Sequence, residues 1–259
     1  MLFPDPLVPA VIIRRYKRFL ADVRLGDGSA LTVHCPNPGA MIGCAEPGWP
    51  ALISRSPNPG RKLSHTLELV HNGRCWIGVN TGIANAVVGR ALEAGRVSAL
   101  AGYETIRREV AYGTGSRVDF LLSGPGGHCY LEVKSVTMVV DGLYAFPDAV
   151  TARGLKHLKE LDGMVRAGHR AVLLFLIQRS DGGHGFRVAG EIDPDYARAL
   201  DMAVLNGVEV LACLTAIGPD GIRLEGLVPF HPWDGHGTGR TWKPRPSATS
   251  DQLQPPSGI

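Results

Sequence analysis

Ser116-Arg117-Val118-Asp119-Phe120-Leu121-Leu122, then Ser123-Gly124-Pro125-Gly126-Gly127, then Tyr130-Leu131-Glu132-Val133-Lys134-Ser135 is the stretch that sets the fold of the second half of the chain. Two runs of β-favouring residues flank a Pro/Gly turn, which reads as a hairpin. Side chains alternate along a strand, so Glu132 and Lys134 share one face while Leu131 and Val133 take the other. A turn centred between Pro125 and Gly126 sets Asp119 opposite Glu132, with Cβ atoms about 4.5–5.5 Å apart. Two carboxylates that close in an apolar sheet repel each other, so a shared proton, Lys134 or a divalent cation must neutralise them. A slip of one residue in register would separate them. Hard oxygen ligands suit Mg²⁺ or Mn²⁺, which polarise a phosphoryl oxygen and acidify bound water. Lys134 would then orient that water or stabilise charge on the phosphate. The same spacing also fits an ordinary Glu132–Lys134 salt bridge on a solvated face.

Outward from this hairpin, Ile106 to Tyr112 reads as a preceding strand, and the strand at Tyr130 continues to Met138. Thr151 to Ala167 is a helix with Leu155, Leu158, Leu161 and Met164 on one face. It carries Arg153, Lys156, His157 and Lys159, placed where a phosphate backbone would approach, although a surface histidine is the plain reading of His157. Ala171 to Ile177 reads as a strand buried on both faces. Asp193-Pro194 opens another helix with an N-cap and a Pro at its first position. Val208 to Ile217 is expected as the final buried strand. A β-meander followed by α-β-α-β gives a mixed sheet flanked by helices.

Towards the N-terminus, Ala84 to Val97 is helical, with an apolar stripe of Val87, Val88, Ala91 and Leu92. Before it, short strands at Pro50 to Ser54, Thr66 to His71 and Arg74 to Val79 join a long one spanning Val11 to Leu25 and its partner Ala30 to His34. Short strands linked by Gly and Pro turns predict a small barrel. Within the long strand lies a basic cluster, Arg14, Arg15, Tyr16, Lys17 and Arg18. Arg15 and Lys17 are expected on one face, Tyr16 and Arg18 on the other. Cations beside aromatics fit a nucleic-acid groove, and Arg61 and Lys62 extend the patch. The alternative is a solvated edge strand that blocks aggregation. His34, Cys35 and Cys44 flank a Pro/Gly loop that reads as packing, with a metal site as the alternative.

Composition narrows the class. The net charge is +3 over 259 residues, which does not by itself indicate nucleic acid. Five cysteines at irregular spacing make neither a disulfide framework nor a zinc site, which points to reduced thiols and the cytoplasm. The N-terminus lacks the order of a signal peptide, and no apolar run is long enough to span a bilayer. From about Pro232 the chain becomes Gly-, Pro-, Ser- and His-rich, which reads as a disordered tail.

The sequence resembles the sugar fermentation stimulation protein A family over nearly its whole length except the tail. The segments that carry the likeness are Arg15-Tyr16-Lys17-Arg18-Phe19-Leu20-Ala21-Asp22-Val23, His34-Cys35-Pro36-Asn37 with Gly39-Ala40-Met41 and Gly43-Cys44, and Val79-Asn80-Thr81. They continue through Ser116-Arg117-Val118-Asp119-Phe120, Glu132-Val133-Lys134-Ser135-Val136-Thr137, Phe146-Pro147-Asp148-Ala149-Val150-Thr151, Arg153-Gly154 and His157-Leu158. The resemblance implies an OB-fold over residues 1–82 and a PD-(D/E)xK nuclease-like domain over 83–231; the tail over 232–259, set apart by composition, is a departure from the family. It implies DNA binding and a regulatory role in sugar use such as maltose metabolism. Asp119, Glu132 and Lys134 match the nuclease motif. An acid on the preceding helix often completes such sites; Glu93 is the candidate third metal ligand, with Glu109 second. The expectation is a cytoplasmic, Mg²⁺- or Mn²⁺-dependent DNA nuclease, a homodimer by analogy with paired cutters. The rivals are a non-catalytic DNA-binding regulator on the same scaffold and a sugar-responsive binding protein.

Overall fold

The computed structural model describes residues 1–233. The expected tail falls almost wholly beyond them. Strands β1 (Val8–Tyr16), β2 (Leu20–Leu25), β3 (Ala30–His34), β4 (Pro50–Arg55) and β5 (His65–His71) form a barrel, ordered β3-β2-β1-β4-β5 and closed by a parallel β3–β5 bridge at His34 and Thr66. Strand β6 (Trp76–Gly78) extends it beside β5. Alternation along the strands sends Ala10, Ile12, Ala21, Val23, Val33, Ile53 and Leu67 into one core. Cys35 and Cys44 are fully buried in that core with Met41, whose Sδ lies 3.4 Å from Cys35 Sγ, so the loop is packed. All five cysteines are free thiols.

The single strand expected from Val11 to Leu25 is two strands. The chain reverses at Lys17-Arg18-Phe19, and Tyr16 pairs with Leu20. Lys17 and Arg18 take φ of 45° and 65°, the left-handed conformation a tight hairpin needs. Neither is Gly or Asn, the residues that ordinarily mark such a turn. The basic cluster is therefore a hairpin end, and its expected face alternation stops at Tyr16.

The second half is built on a six-stranded sheet. Its strands are β7 (Thr105–Tyr112), β8 (Ser116–Gly124), β9 (Gly127–Val136), β12 (Arg170–Ile177), β14 (Glu209–Gly218) and β15 (Gly221–Val228), ordered β15-β14-β12-β9-β8-β7. Helices α1 (Ala84–Glu93), α2 (Ala152–Arg166) and α3 (Pro194–Leu205) flank it. Strand β12 shows why its sequence is continuously apolar. Ala171, Leu173, Phe175 and Ile177 join the core under α2 and α3, while Val172, Leu174 and Leu176 join the core under α1.

Two features escaped the sequence reading. Val208 to Ile217 is not the last strand, because β15 follows it at the sheet edge. A second sheet, β10-β11-β13-β16, is made of β10 (Met138–Val140), β11 (Leu143–Phe146), β13 (Phe186–Val188) and β16 (Phe230–His231). Strands of two to four residues carry too little alternation to be seen. The expected strand from Tyr130 to Met138 is accordingly β9 ending at Val136, with Met138 opening β10.

Asp193 ties this frame to the start of α2. One carboxylate oxygen caps α3 by accepting from Tyr196 N at 3.0 Å, and the other accepts from Thr151 N at 2.8 Å. Asp193→Ala is expected to lower stability by about 1–2 kcal/mol, the usual worth of a lost N-cap. Urea denaturation measures it; an unchanged midpoint would show that water replaces both bonds.

Candidate active site

The hairpin has the register the turn predicts: Phe120 pairs with Leu131 and Gly124 with Gly127. That register places Asp119 opposite Glu132, and there the strands part. The Val133 N–H donates to Asp119 Oδ2 at 2.7 Å in place of a ladder partner. Asp119 Oδ1 accepts from Asn85 Nδ2 on the first turn of α1, also at 2.7 Å. The acid is thus fixed from two directions at the point where the sheet opens.

Glu132 is buried, at 2% exposure, and still ionised. Burial alone would push its carboxyl up. The bond from His157 and the charge and bond of Lys134 outweigh burial and hold it below the ordinary glutamate value. Lys134 Nζ donates to Glu132 Oε1 at 2.6 Å, and His157 Nδ1 meets the same oxygen. Arg153 Nε–H, which can only donate, lies 3.4 Å from His157 Nε2. Lys134 Nζ, also a donor, lies equally far from Nδ1, but the ionised Glu132 oxygen against Nδ1 can only accept, so Nδ1 carries the hydrogen that faces Glu132 and Nε2 accepts from Arg153. The other oxygen, Glu132 Oε2, is buried with no hydrogen-bond partner. Asp119 moves the opposite way: burial first, and then the Glu132 charge, raise its pKa. Two neighbouring carboxyls whose pKa values are driven apart take different protonation roles.

A cleft of about 350 Å³ opens over these groups. Asp119, Glu132 and Lys134 line its floor, and Arg153, His157 and the N-terminus of α2 line one wall. That first helical turn contains no acid, and Thr151 Oγ1 caps it by accepting from Gly154 N at 3.1 Å. The positive end of a helix and Arg153 give the wall a character suited to anions. The opposite wall comes from the barrel: Arg18 and the loop Asn37-Pro38-Gly39.

Several expected residues lie elsewhere. Glu93 is eight residues past Asn85, about 12 Å along the helix. It faces Arg108 at 3.5 Å and does not line the cleft. Glu109, with φ of 52°, is skipped by the β7–β8 pairing although the register is unchanged on either side, which sets it opposite Asp119; its side chain is exposed and lies outside the cleft. Among the described residues no three His, Cys, Asp or Glu converge as a metal cluster. The other acid lining the cleft is Asp148, whose Oδ2 accepts from Met41 N, and Asn85 occupies the approach to Asp119 from α1.

The basic set divides too. Arg15 is committed to the fold: its guanidinium donates to the carbonyls of Arg18, Asn37, Gly39 and Ala40. Arg14 pairs with Asp22 at 2.8 Å, and Tyr16 Oη donates to the same carboxylate. Lys17 is exposed at the hairpin end, and Lys62 is exposed in its loop. Arg61 bonds Thr66 and His34, and Lys156 donates to Thr114 O at 2.9 Å. Arg18, Arg153 and His157 reach the cleft. His157 is buried at 5%, so it is a partner of Glu132 and no surface histidine.

Residues 13–79 match the SfsA N-terminal OB domain, and residues 82–221 match the sugar fermentation stimulation protein RE domain. A sugar fermentation stimulation protein homolog of Geotalea uraniireducens is 54% identical over 226 residues, 87% of this chain and 97% of its own length. The homolog of Acidithiobacillus ferrooxidans is 54% identical over 227 residues, again 87% and 97%. A solved structure of Pyrococcus furiosus SfsA in complex with Ca²⁺ matches with a TM-score of 0.81 and 25% identity, covering 89% of this chain and 98% of that one.

Proposed function

The chain belongs to the sugar fermentation stimulation protein family, and from that premise we propose that it binds DNA and hydrolyses phosphodiester bonds in the carboxylate cleft, with Mg²⁺ or Mn²⁺ as cofactor. One observation carries this reading. Glu132 Oε2 is a buried carboxylate oxygen without a partner, on a residue held ionised and set opposite Asp119 by the register of the hairpin. Leaving such an atom unpaired is costly unless a cation uses it. Asp119 and Glu132 offer hard oxygens, the donor type that Mg²⁺, Mn²⁺ and Ca²⁺ prefer, with water completing the shell. The archaeal relative of the same fold was solved with Ca²⁺, a cation of that kind. When bound, the ion would supply a polarised phosphoryl oxygen and a more acidic water.

The protein's own groups do the remaining work. His157 and Lys134 keep Glu132 ionised. Lys134 Nζ stands beside Glu132 and lines the cleft, where it can steady the charge growing on a phosphate. Arg153 and the first turn of α2 orient the phosphate from the wall. Asn85 and the Val133 amide fix Asp119 so that it does not have to be ordered when substrate arrives. No helix among the described residues is long and apolar enough to cross a membrane.

The test is a cleavage assay on DNA with Mg²⁺ or Mn²⁺ and then with chelator, run beside a Glu132→Ala, Lys134→Ala double variant. Metal-dependent cutting that the variant lacks is expected. Binding without cutting, equal in both proteins, would make this a DNA-binding regulator on a nuclease scaffold.

A pH dependence follows from Asp119. Its folded pKa is raised, so a proton competes with any cation until the pH passes that value. Ca²⁺ affinity is expected to climb with pH above the ordinary aspartate value of about 3.9. Binding should release up to one proton from this group, read by calorimetry in buffers of different ionisation enthalpy. In the ion-free protein the sign is opposite: protonated Asp119 favours the fold at low pH, and that contribution fades as pH rises through its raised pKa. An affinity flat with pH would remove Asp119 from the ligand set.

A further inference from the structure

The barrel loop Pro36–Met41 is an arch with a foot on each side of the cleft. On one side Thr81 Oγ1 donates to Pro36 O at 2.8 Å, and Asn37 Nδ2 donates to Val79 O at 3.3 Å. On the other, Met41 N donates to Asp148 Oδ2 at 2.8 Å. At Gly39 a Cβ would stand 2.3 Å from Asp148 Oδ1, so any side chain there would have to displace the Asp148 carboxylate that the loop rests on. Arg15, from beneath, holds three of the loop's carbonyls. The arch is therefore a fixed wall, and with residues 81–85 and the start of α2 it encloses the carboxylates on three sides.

A duplex is a stiff rod, with a persistence length of about 150 base pairs, and needs an open floor to bring a phosphate to buried acids. A single strand is slender and bends. The hairpin end that brings Arg18 to the cleft is also furnished for one. Phe19 is an exposed aromatic ring, at 42%, next to the hairpin turn, and the Arg18 guanidinium lies 5.7 Å over it. Arg18 Nε is anchored on Pro38 O at 2.7 Å, which leaves the end of its guanidinium facing the cleft. A cation beside an exposed aromatic is a component of single-strand grooves.

Resting on the nuclease reading above, we propose that the substrate is single-stranded DNA, entering between the barrel and α2, with a phosphate held between Arg18 and Arg153 and a base stacked on Phe19. The hairpin turn then serves as the substrate-positioning element of the site.

The experiment compares one labelled oligonucleotide, alone and annealed to its complement, with Mn²⁺, for wild type, Phe19→Ala and Arg18→Ala. The single strand should be cut at least about tenfold faster than the duplex, and each variant should lose about tenfold on the single strand, the share of one stacking or charged contact. Both side chains are exposed, so melting temperature and Ca²⁺ binding should match wild type. A duplex cut as fast as the single strand, or faster, overturns this inference and leaves the nuclease reading intact. Absence of cutting of either DNA counts against the nuclease reading, and fluorescence anisotropy of the same two DNAs with Ca²⁺ then decides the present one. Tighter single-strand binding that Phe19→Ala weakens supports it, and equal or duplex-preferring binding overturns it.

Discussion

A Glu132→Gln variant is expected to lose divalent-cation binding and to cut DNA about a thousandfold more slowly or worse, while remaining folded. The metal's charge stabilisation is worth several kcal/mol of barrier, and each ~1.4 kcal/mol is tenfold. The substitution keeps the side-chain shape, and its carbonyl can still accept from Lys134 and His157 as Oε1 does. It removes the negative charge and puts an amide where Oε2 stands without a partner. It also removes the charge that raises the Asp119 pKa, which relieves repulsion between the two acids. Loss and relief act in opposite directions on stability, so the melting temperature should move little. Calcium calorimetry and the cleavage rate read the functional effect. Glu93→Gln is the matched control: that carboxylate faces Arg108 outside the cleft, and its replacement should leave both readouts within about twofold, the usual scale for an exposed ion pair. Undiminished cation binding in Glu132→Gln would sink the site as drawn here. A large loss in Glu93→Gln would restore the third acid.

That control marks where sequence and structure diverge. The facing of Asp119 and Glu132 was readable because a Pro/Gly turn of defined centre fixes register, and a period of two fixes the face. Strand β12 was readable because burial on both faces leaves it no polar position. Glu93 stands out in the sequence as the one acid on α1, but the helix carries it two turns beyond Asn85, the residue that touches Asp119. The amide Asn85 on the first turn of α1 was the available signal, and it resembles a helix start too closely to stand out. The hairpin at Lys17 and Arg18 was hidden because left-handed backbone is ordinarily announced by Gly or Asn. The division of the arginines into structural and cleft-facing ones depends on contacts between residues far apart in the chain. Arg15 is spent on the 37–40 loop and Arg18 reaches the cleft, yet they differ by three positions.

The largest expected loss of stability lies at the seam between barrel and sheet, in Asp181→Ala. Arg179 and Asp181 form a bidentate pair with both bonds at 2.7 Å and side chains 6% and 10% exposed. Arg179 Nη1 also donates to Thr137 O at 2.6 Å, three residues beyond Lys134. From the barrel, Asn72 Nδ2 donates to Asp181 Oδ2 at 2.6 Å. Through Arg179, this carboxylate joins the β5–β6 turn to Thr137, the residue that follows the strand carrying the site. Removing it leaves a buried guanidinium without its counter-ion, which costs about 3–5 kcal/mol. At roughly 2–4 °C per kcal/mol for a chain of this size, melting should fall by about 6–20 °C. The pH dependence separates this mechanism from simple loss of packing. Burial alone would raise the Asp181 pKa, but the bonds and charge of Arg179 override it and hold the carboxyl far below the usual range. A depressed folded pKa gives stability that is complete above the unfolded value of about 3.9 and is lost as pH falls towards the folded one. The gap between wild type and Asp181→Ala should therefore be full at neutral pH and shrink in acid. An Arg179→Met, Asp181→Ala double variant removes both charges and should recover most of the loss, since an apolar pair of similar volume often replaces a buried ion pair at little cost. A gap that stays constant from neutral pH into acid, with no recovery in the double variant, would assign the loss to packing and remove the ion pair from the seam.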